Sequence, residues 1–138
     1  MFSSFGPDTL KELRAAFTAV GAGERVNAFI DMHDLGDALV HAGFADPVME
    51  MEMITLEYST VEALVRELRH LGSRSRAGVA HPGLFGKARW QALTRDYESR
   101  RRDGALPATY EVIYGHAWKV PPRKLADGRQ VIDFQRRR

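Results

Sequence analysis

The 138-residue chain contains no cysteine, which excludes disulfides and thiolate metal sites and implies no secreted disulfide scaffold. No apolar run approaches the roughly 18 residues of a membrane span. The opening residues MFSSFGPD lack the basic region and long apolar stretch of a signal peptide, so a cytoplasmic location is expected. Also missing is any strand followed by a glycine-rich turn able to hold a nucleotide or nucleotide-like cofactor. The five histidines (33, 41, 70, 81 and 116) form no i, i+4 pair. With no thiolate to join them, no metal site is expected.

Against these absences stands one long strand candidate, Leu106 to Trp118, that is apolar on both faces. Tyr110, Val112, Tyr114 and Trp118 point one way, and Ile113 and Ala117 the other. Such a strand needs covering layers on both sides, as in an α/β sheet. The length suits one domain with a single modest core.

Charge is unevenly distributed although the net value is only +2. Residues 1–60 hold three basic and ten acidic residues, and residues 61–102 hold ten basic and four acidic ones. Residues 103–138 hold seven basic and four acidic residues. That polarity gives one surface a positive field that attracts an anionic partner.

Met1 to Phe5 reads as a strand end, and Gly6-Pro7 as its exit. Thr9 and Glu12 match a capping box for a helix carrying Leu10, Leu13, Phe17 and Val20 inward, stopped by Gly21 to Gly23. A second helix is expected over Asp34 to Ala42, capped by Asp34, with Leu35, Ala38, Leu39 and Ala42 inward. In Val48 to Tyr58 the alternation changes phase between the Met49-Met51-Met53 and Ile54-Leu56-Tyr58 sets, which predicts a bulge near Met53 in an edge strand. Ser59 and Glu62 form a second capping box before Val61, Leu64, Val65, Leu68 and Leu71. A loop over Ser73 to Pro82 precedes a helix from Leu84 to Arg102, with Phe85, Ala88, Ala92 and Leu93 inward. Asp103-Gly104 ends it. After Trp118, two prolines, an Asp127-Gly128 turn and the run VIDF suggest a loose hairpin or a partly disordered tail over 120–138.

Four segments occur in order: FSSFGPDTLKEL, DMHDLGDALVHAGFADPVMEME, the basic two-helix stretch, and LPATYEVIYGHAW. Together they resemble the C-terminal half of the biotin-pathway malonyl-[acyl-carrier-protein] O-methyltransferase family, class I enzymes dependent on S-adenosylmethionine. The resemblance implies an α/β fold, the C-terminal part of a Rossmann-like sheet. About three strands remain, the last two an antiparallel pair, packed with about four helices. The final strand slots between the other two. Residues 1–119 would form the acceptor-side part, with a basic helical insert at 60–103. The family's cofactor-binding segments have no counterpart here. The chain is therefore expected to be truncated at an internal Met, and unable alone to bind S-adenosylmethionine or to catalyse.

Candidate substrate-binding residues follow from this frame. Ser4, Phe5 and Gly6 lie at the carboxyl end of a strand, where ligands bind in open α/β sheets, and the resemblance puts this edge beside the acceptor pocket. His33, beside Asp34, could contact substrate, but methyl transfer to an ionised carboxylate needs no general base. Tyr114 could face the acceptor channel, although Tyr110, Tyr114 and Trp118 also read as core packing. Arg66, Arg69, Arg74, Arg76, Lys87 and Arg89 form a basic cluster suited to an acidic acyl-carrier protein bearing a malonyl group and a phosphate-containing arm. Alternatives are a stand-alone basic interaction domain, dimerising or completing its sheet through an exposed edge, and a nucleic-acid-binding module. The aromatics do not interleave with the basic residues, so nucleic acid is disfavoured.

Overall fold

Strand β3 (Leu106–Lys119) is the middle of a three-stranded sheet and pairs antiparallel with both neighbours. A computed structural model describes residues 1–71 and 85–121. The other elements are β1 (Phe2–Phe5), α1 (Lys11–Ala19), α2 (Met32–His41), β2 (Phe44–Tyr58), α3 (Val61–His70) and α4 (Lys87–Glu98). Strand order is β1-β3-β2, so the last strand does slot between the first two. The loop over Ser73 to Pro82 and the Asp127-Gly128 and VIDF tail lie outside the described residues.

Register sets the two faces of the sheet. Phe5 opposes Val112, Ser4 opposes Ile113, and Tyr58 opposes Leu106. One face thus carries Phe5, Leu106, Ala108, Tyr110, Val112, Tyr114, His116 and Trp118, together with Ile54, Leu56 and Tyr58. At its Leu106 end, α1, α3 and α4 seal this face in one cluster that includes Leu13, Ala16, Val61, Leu64, Leu93 and Tyr97. The expectation of burial along the whole strand holds only for the first part. Leu106, Ala108 and Ile113 are fully buried, whereas Tyr114 is 42% and Trp118 63% exposed, because no described helix covers that end of this face.

The phase change in β2 has a different cause from the one expected. Pairing with β3 is unbroken from Val48 to Tyr58, and the irregularity falls between Ala45 and Val48. Asp46 there adopts φ 48°, and Pro47 cannot donate to a ladder. Glu50 and Glu52 simply share a face with Ile54, Leu56 and Tyr58, and the helices cover only the Tyr58 end of it.

Three helix starts also differ. The Thr9–Glu12 pair does not cap α1, whose N-terminal residue Leu10 has no side-chain cap. Beyond Phe5, the outer edge of β3 has lost its strand partner, and these side chains satisfy it instead. The Thr9 hydroxyl donates to the Glu111 carbonyl and accepts from its N–H, both at 3.1 Å. The Glu12 carboxylate accepts from the Thr109 N–H at 3.0 Å and from the Thr109 hydroxyl. Gly6 and Leu10 N–H groups donate to the carbonyls of Glu111 and Thr109 at 2.9 and 2.6 Å. Every backbone group on that edge is thereby paired, as burial requires. Leu10 takes φ 56°, a left-handed conformation rare for Leu, and holds it through this bond and its burial.

Helix α2 is capped three residues earlier than Asp34, by Asp31, which accepts the His33 N–H at 2.8 Å. Its expected inward stripe is at most half-buried. For α3 the cap is Thr60, one residue past Ser59, accepting from Ala63 N–H at 3.1 Å. Helix α4 is shorter than Leu84–Arg102, and its buried residues are Leu93 and Tyr97 rather than Ala88, which is exposed. The Tyr97 hydroxyl donates to the Pro107 carbonyl at 2.9 Å. Asp103 and Gly104, at φ 47° and 82°, make the tight two-residue turn into β3, with reciprocal Arg102–Ala105 backbone bonds of 2.9 Å.

Candidate functional site

At the carboxyl end of β1 the chain encloses a cavity of about 520 Å³ between α1, the 25–29 segment and α3. Its walls come from stripes that the sequence marks as apolar: Leu13 and Phe17 of α1, Val65 and Leu68 of α3, and Phe5 and Tyr110 of the sheet. Phe5 is the corner. Its ring meets Phe29 edge-on at 5.8 Å and lies 6.0 Å from Tyr110. Phe17 packs on Phe85 at 5.6 Å, and the Arg25 guanidinium sits 5.0 Å above that Phe85 ring. Burial pushes the Tyr110 hydroxyl above the usual phenol pKa, so it stays a neutral donor at ordinary pH. Arg69 stands on the cavity's edge.

A second groove of about 350 Å³ adjoins the first and shares Val65 and Arg69 with it; Glu62, Arg66 and Trp90 complete its lining. A third depression shares Glu62 and Trp90 with it and is edged by Lys87 and Arg95. Trp90 therefore lines two hollows that both carry cations.

The basic residues divide into two groups. Arg100 pairs with Asp96 at 2.7 Å, and Arg101 binds Glu98 at 2.8 Å as well as the Ser59 and Gly104 carbonyls. The second pair lowers the Glu98 pKa and raises that of Arg101, through their shared hydrogen bonds first. Arg14 is spent on the Pro7, Thr9 and Asn27 carbonyls. By contrast Arg66, Arg69, Lys87, Arg89 and Arg95 make no hydrogen bond or ion pair with a described residue. Arg74 and Arg76 lie outside the described residues.

Of the five expected substrate residues, the structure brings only Phe5 to the cavity. Ser4 points to the opposite sheet face, beside Ile113. Gly6 is buried where an added Cβ would lie 2.3 Å from the Glu111 carboxyl carbon, so it serves packing. His33 is 85% exposed on its side chain and bonds Asp31 at 2.9 Å, a contact with its backbone counterpart that holds the Asp31 pKa down. Tyr114 lies about 13 Å along the strand from Tyr110, in a separate depression with Ser3, Glu50 and His116, its hydroxyl 3.4 Å from Glu52. Sequence reading missed Phe17, Phe29, Leu68, Tyr110 and Trp90 as lining residues. An apolar stripe reads the same whether it fills a core or walls a cavity, so nothing in the pattern marks them out. Among the described residues no cluster of His, Asp or Glu could hold a metal ion, and no helix is long and apolar enough to cross a membrane.

No protein-family model matches the chain. It is similar to a malonyl-[acyl-carrier protein] O-methyltransferase of Laribacter hongkongensis, 53% identical over 137 residues, covering 97% of this chain and 46% of the relative. A protein of the same name from Gallionella capsiferriformans is 54% identical over 132 residues, with 96% and 46% covered. One from Legionella pneumophila is 42% identical over 129 residues, with 93% and 45% covered. The chain spans about half the length of the curated relatives it matches.

Proposed function

Because the chain belongs to the malonyl-[acyl-carrier protein] O-methyltransferase family and spans about half the length of its curated members, we propose that it supplies the acceptor side of that enzyme. The whole enzyme would transfer a methyl group from S-adenosylmethionine to the free carboxyl of a malonyl-carrier protein, in cytoplasmic biotin biosynthesis. The acceptor is a carboxylate with an ordinary pKa near 4, already ionised at neutral pH. The acceptor side therefore has to bind and orient it rather than remove a proton. The cavity does not fit the methyl donor. Arginines edge it, and no described carboxylate is in its lining, whereas a sulfonium is stabilised by negative charge. Donor binding is assigned to the portion of the relatives that this chain does not span, and the isolated chain is expected to be inactive. The edge of β1, which has no strand partner among the described residues, and exposed Val48, Tyr114 and Trp118 would be covered by that portion or by a second copy.

The observation that carries this reading is the set of cations around Trp90 that have no partner among the described residues, next to an apolar cavity. A carrier protein is acidic, and such cations accelerate its association and fix its orientation. Fluorescence anisotropy of labelled malonyl-carrier protein titrated with the chain tests it. The triple change Arg66→Glu, Arg69→Glu, Arg89→Glu converts three attractions of about 0.2–1 kcal/mol each into repulsions, so affinity should fall at least about tenfold. Unchanged affinity would remove the docking surface. Equal displacement by duplex DNA at matched salt would point instead to a nucleic-acid module.

A further inference from the structure

We propose that the 520 Å³ cavity and the groove beside it form one site for the phosphopantetheine arm of a carrier protein. The phosphodiester would sit at Arg66 and Arg69, and the slender amide chain would run over Val65 toward Phe5. This rests on the carrier-protein reading above and adds where the arm goes.

Three observations carry it. The two hollows are contiguous, since Val65 and Arg69 line both. Their chemistry is graded. The outer one holds Arg66, Arg69 and Glu62 beside Trp90, and the inner one is walled mostly by apolar and aromatic side chains, among them Phe5, Phe17, Phe29, Leu68 and Tyr110, with Thr9, Arg25 and Asn27 as further polar residues. A ligand with an anion at one end and a thin, weakly polar chain at the other matches that gradient. A wholly apolar ligand would have no use for the arginines. A free phosphate would have none for the aromatic chamber. Finally, Arg66 and Arg69 are exposed and have no partner among the described residues, so their guanidinium forks are free to grip a phosphodiester. The cavity volume falls within the roughly 300–1,000 Å³ of small-molecule sites. Its inner wall is the carboxyl end of β1, the ligand-binding end of strands in α/β sheets.

The test compares carrier protein without the arm and with it. Both should bind the chain, but the arm-bearing form should bind at least about tenfold more tightly, because the tethered arm engages a second site. Leu68→Trp, which fills the cavity, should abolish that advantage while leaving armless carrier affinity unchanged. Equal affinity of the two carrier forms for the unaltered chain would overturn the arm site and spare the docking surface. Failure of both forms to bind would overturn both readings.

A second measurement does not depend on filling the core. The chain has no cysteine, so Leu71→Cys, at an exposed cavity-edge position, places a single thiol at the mouth. His33→Cys places one on α2, at an exposed position outside the cavity lining. The arm thiol is supplied as its mixed disulfide with thionitrobenzoate. Attack by the introduced thiolate forms a chain-to-arm disulfide and expels coloured thionitrobenzoate. Leu71→Cys should react at least about tenfold faster than His33→Cys. Equal rates would overturn the assignment.

Discussion

Gly6→Ala isolates the contact that seats the turn after β1. A Cβ on Gly6 would lie 2.3 Å from the Glu111 carboxyl carbon and 2.5 and 2.6 Å from its oxygens. Non-bonded carbon atoms settle at about 3.5–4.0 Å, so the carboxylate would have to retreat by more than about 1 Å. Its Oε2 now accepts the Asp8 N–H at 2.7 Å, and a shift of that size breaks the bond. A hydrogen bond to a charged group contributes about 1.5–3 kcal/mol, and Glu111 is only 7% exposed, so water cannot readily replace the partner. Gly6→Ala should therefore destabilise by about 1.5–3 kcal/mol in urea unfolding followed by circular dichroism. Gly6 does not have positive φ. With Glu111→Ala already in place, the added methyl meets no obstacle and restricts the unfolded chain, so the same change should be neutral or stabilising by about 0.4–1 kcal/mol. The difference between backgrounds is the coupling energy. Equal loss in both would mean that glycine is needed for the backbone alone, and the packing account would fail.

Removing the Tyr97 hydroxyl should lower stability at neutral pH by about 1–2 kcal/mol, because Tyr97→Phe strands the Pro107 carbonyl. Burial, then the nearby Glu12 charge, raises the Tyr97 pKa above the ordinary phenol value of 10.0. Its stabilisation is thus complete below about pH 10 and declines as pH rises toward the raised value, at about 1.4 kcal/mol per unit for one proton. Urea unfolding between pH 9 and 11.5 should show Tyr97→Phe flattening that limb by one proton, with Tyr58 and Tyr110, also raised, accounting for the remainder. Gly115→Ala would put a Cβ 2.2 Å from the Phe2 ring, and should destabilise by about 1–3 kcal/mol. Phe2→Ala should rescue it in the same assay.

Much of this fold was legible because periodicity and burial agree where the helices press on the sheet. The two-faced run in β3 marked a strand to be covered on both sides, and Asp103-Gly104 marked a stop that proves to be the turn into it rather than the end of α4. Cap motifs located helices to within a few residues but misassigned the capping side chains. Thr9 and Glu12 have the right spacing for a box, yet the frayed edge of β3 offers them buried partners that an isolated helix would not. Tyr97 escaped notice because α4 is weakly amphipathic, and a tyrosine among Arg, Asp and Glu looks exposed until Pro107 supplies its acceptor. The cavity was the least legible feature. Whether Phe17 and Leu68 meet each other or face a void depends on how far α1 stands from α3, which no local pattern encodes.

The same limit governs charge, and here it separates scaffold from surface. Glu62 precedes Arg66 by four residues, as Asp96 precedes Arg100, a spacing that favours ion pairs on a helix. Only the second forms a close bridge, at 2.7 Å, between side chains 34% and 30% exposed. Arg66 is exposed, where water and salt leave a pair with little net gain over the entropy of fixing two long side chains. Partial burial thus turns one repeat of the pattern into a strut and leaves the other loose. A loose arginine beside Trp90 gives up no bond to a described residue when an anion arrives, so its attraction is available for binding. On the proposed reading, the arginines used for recognition are those the described scaffold does not engage, a distinction that needs the sheet and helices in place before it can be drawn.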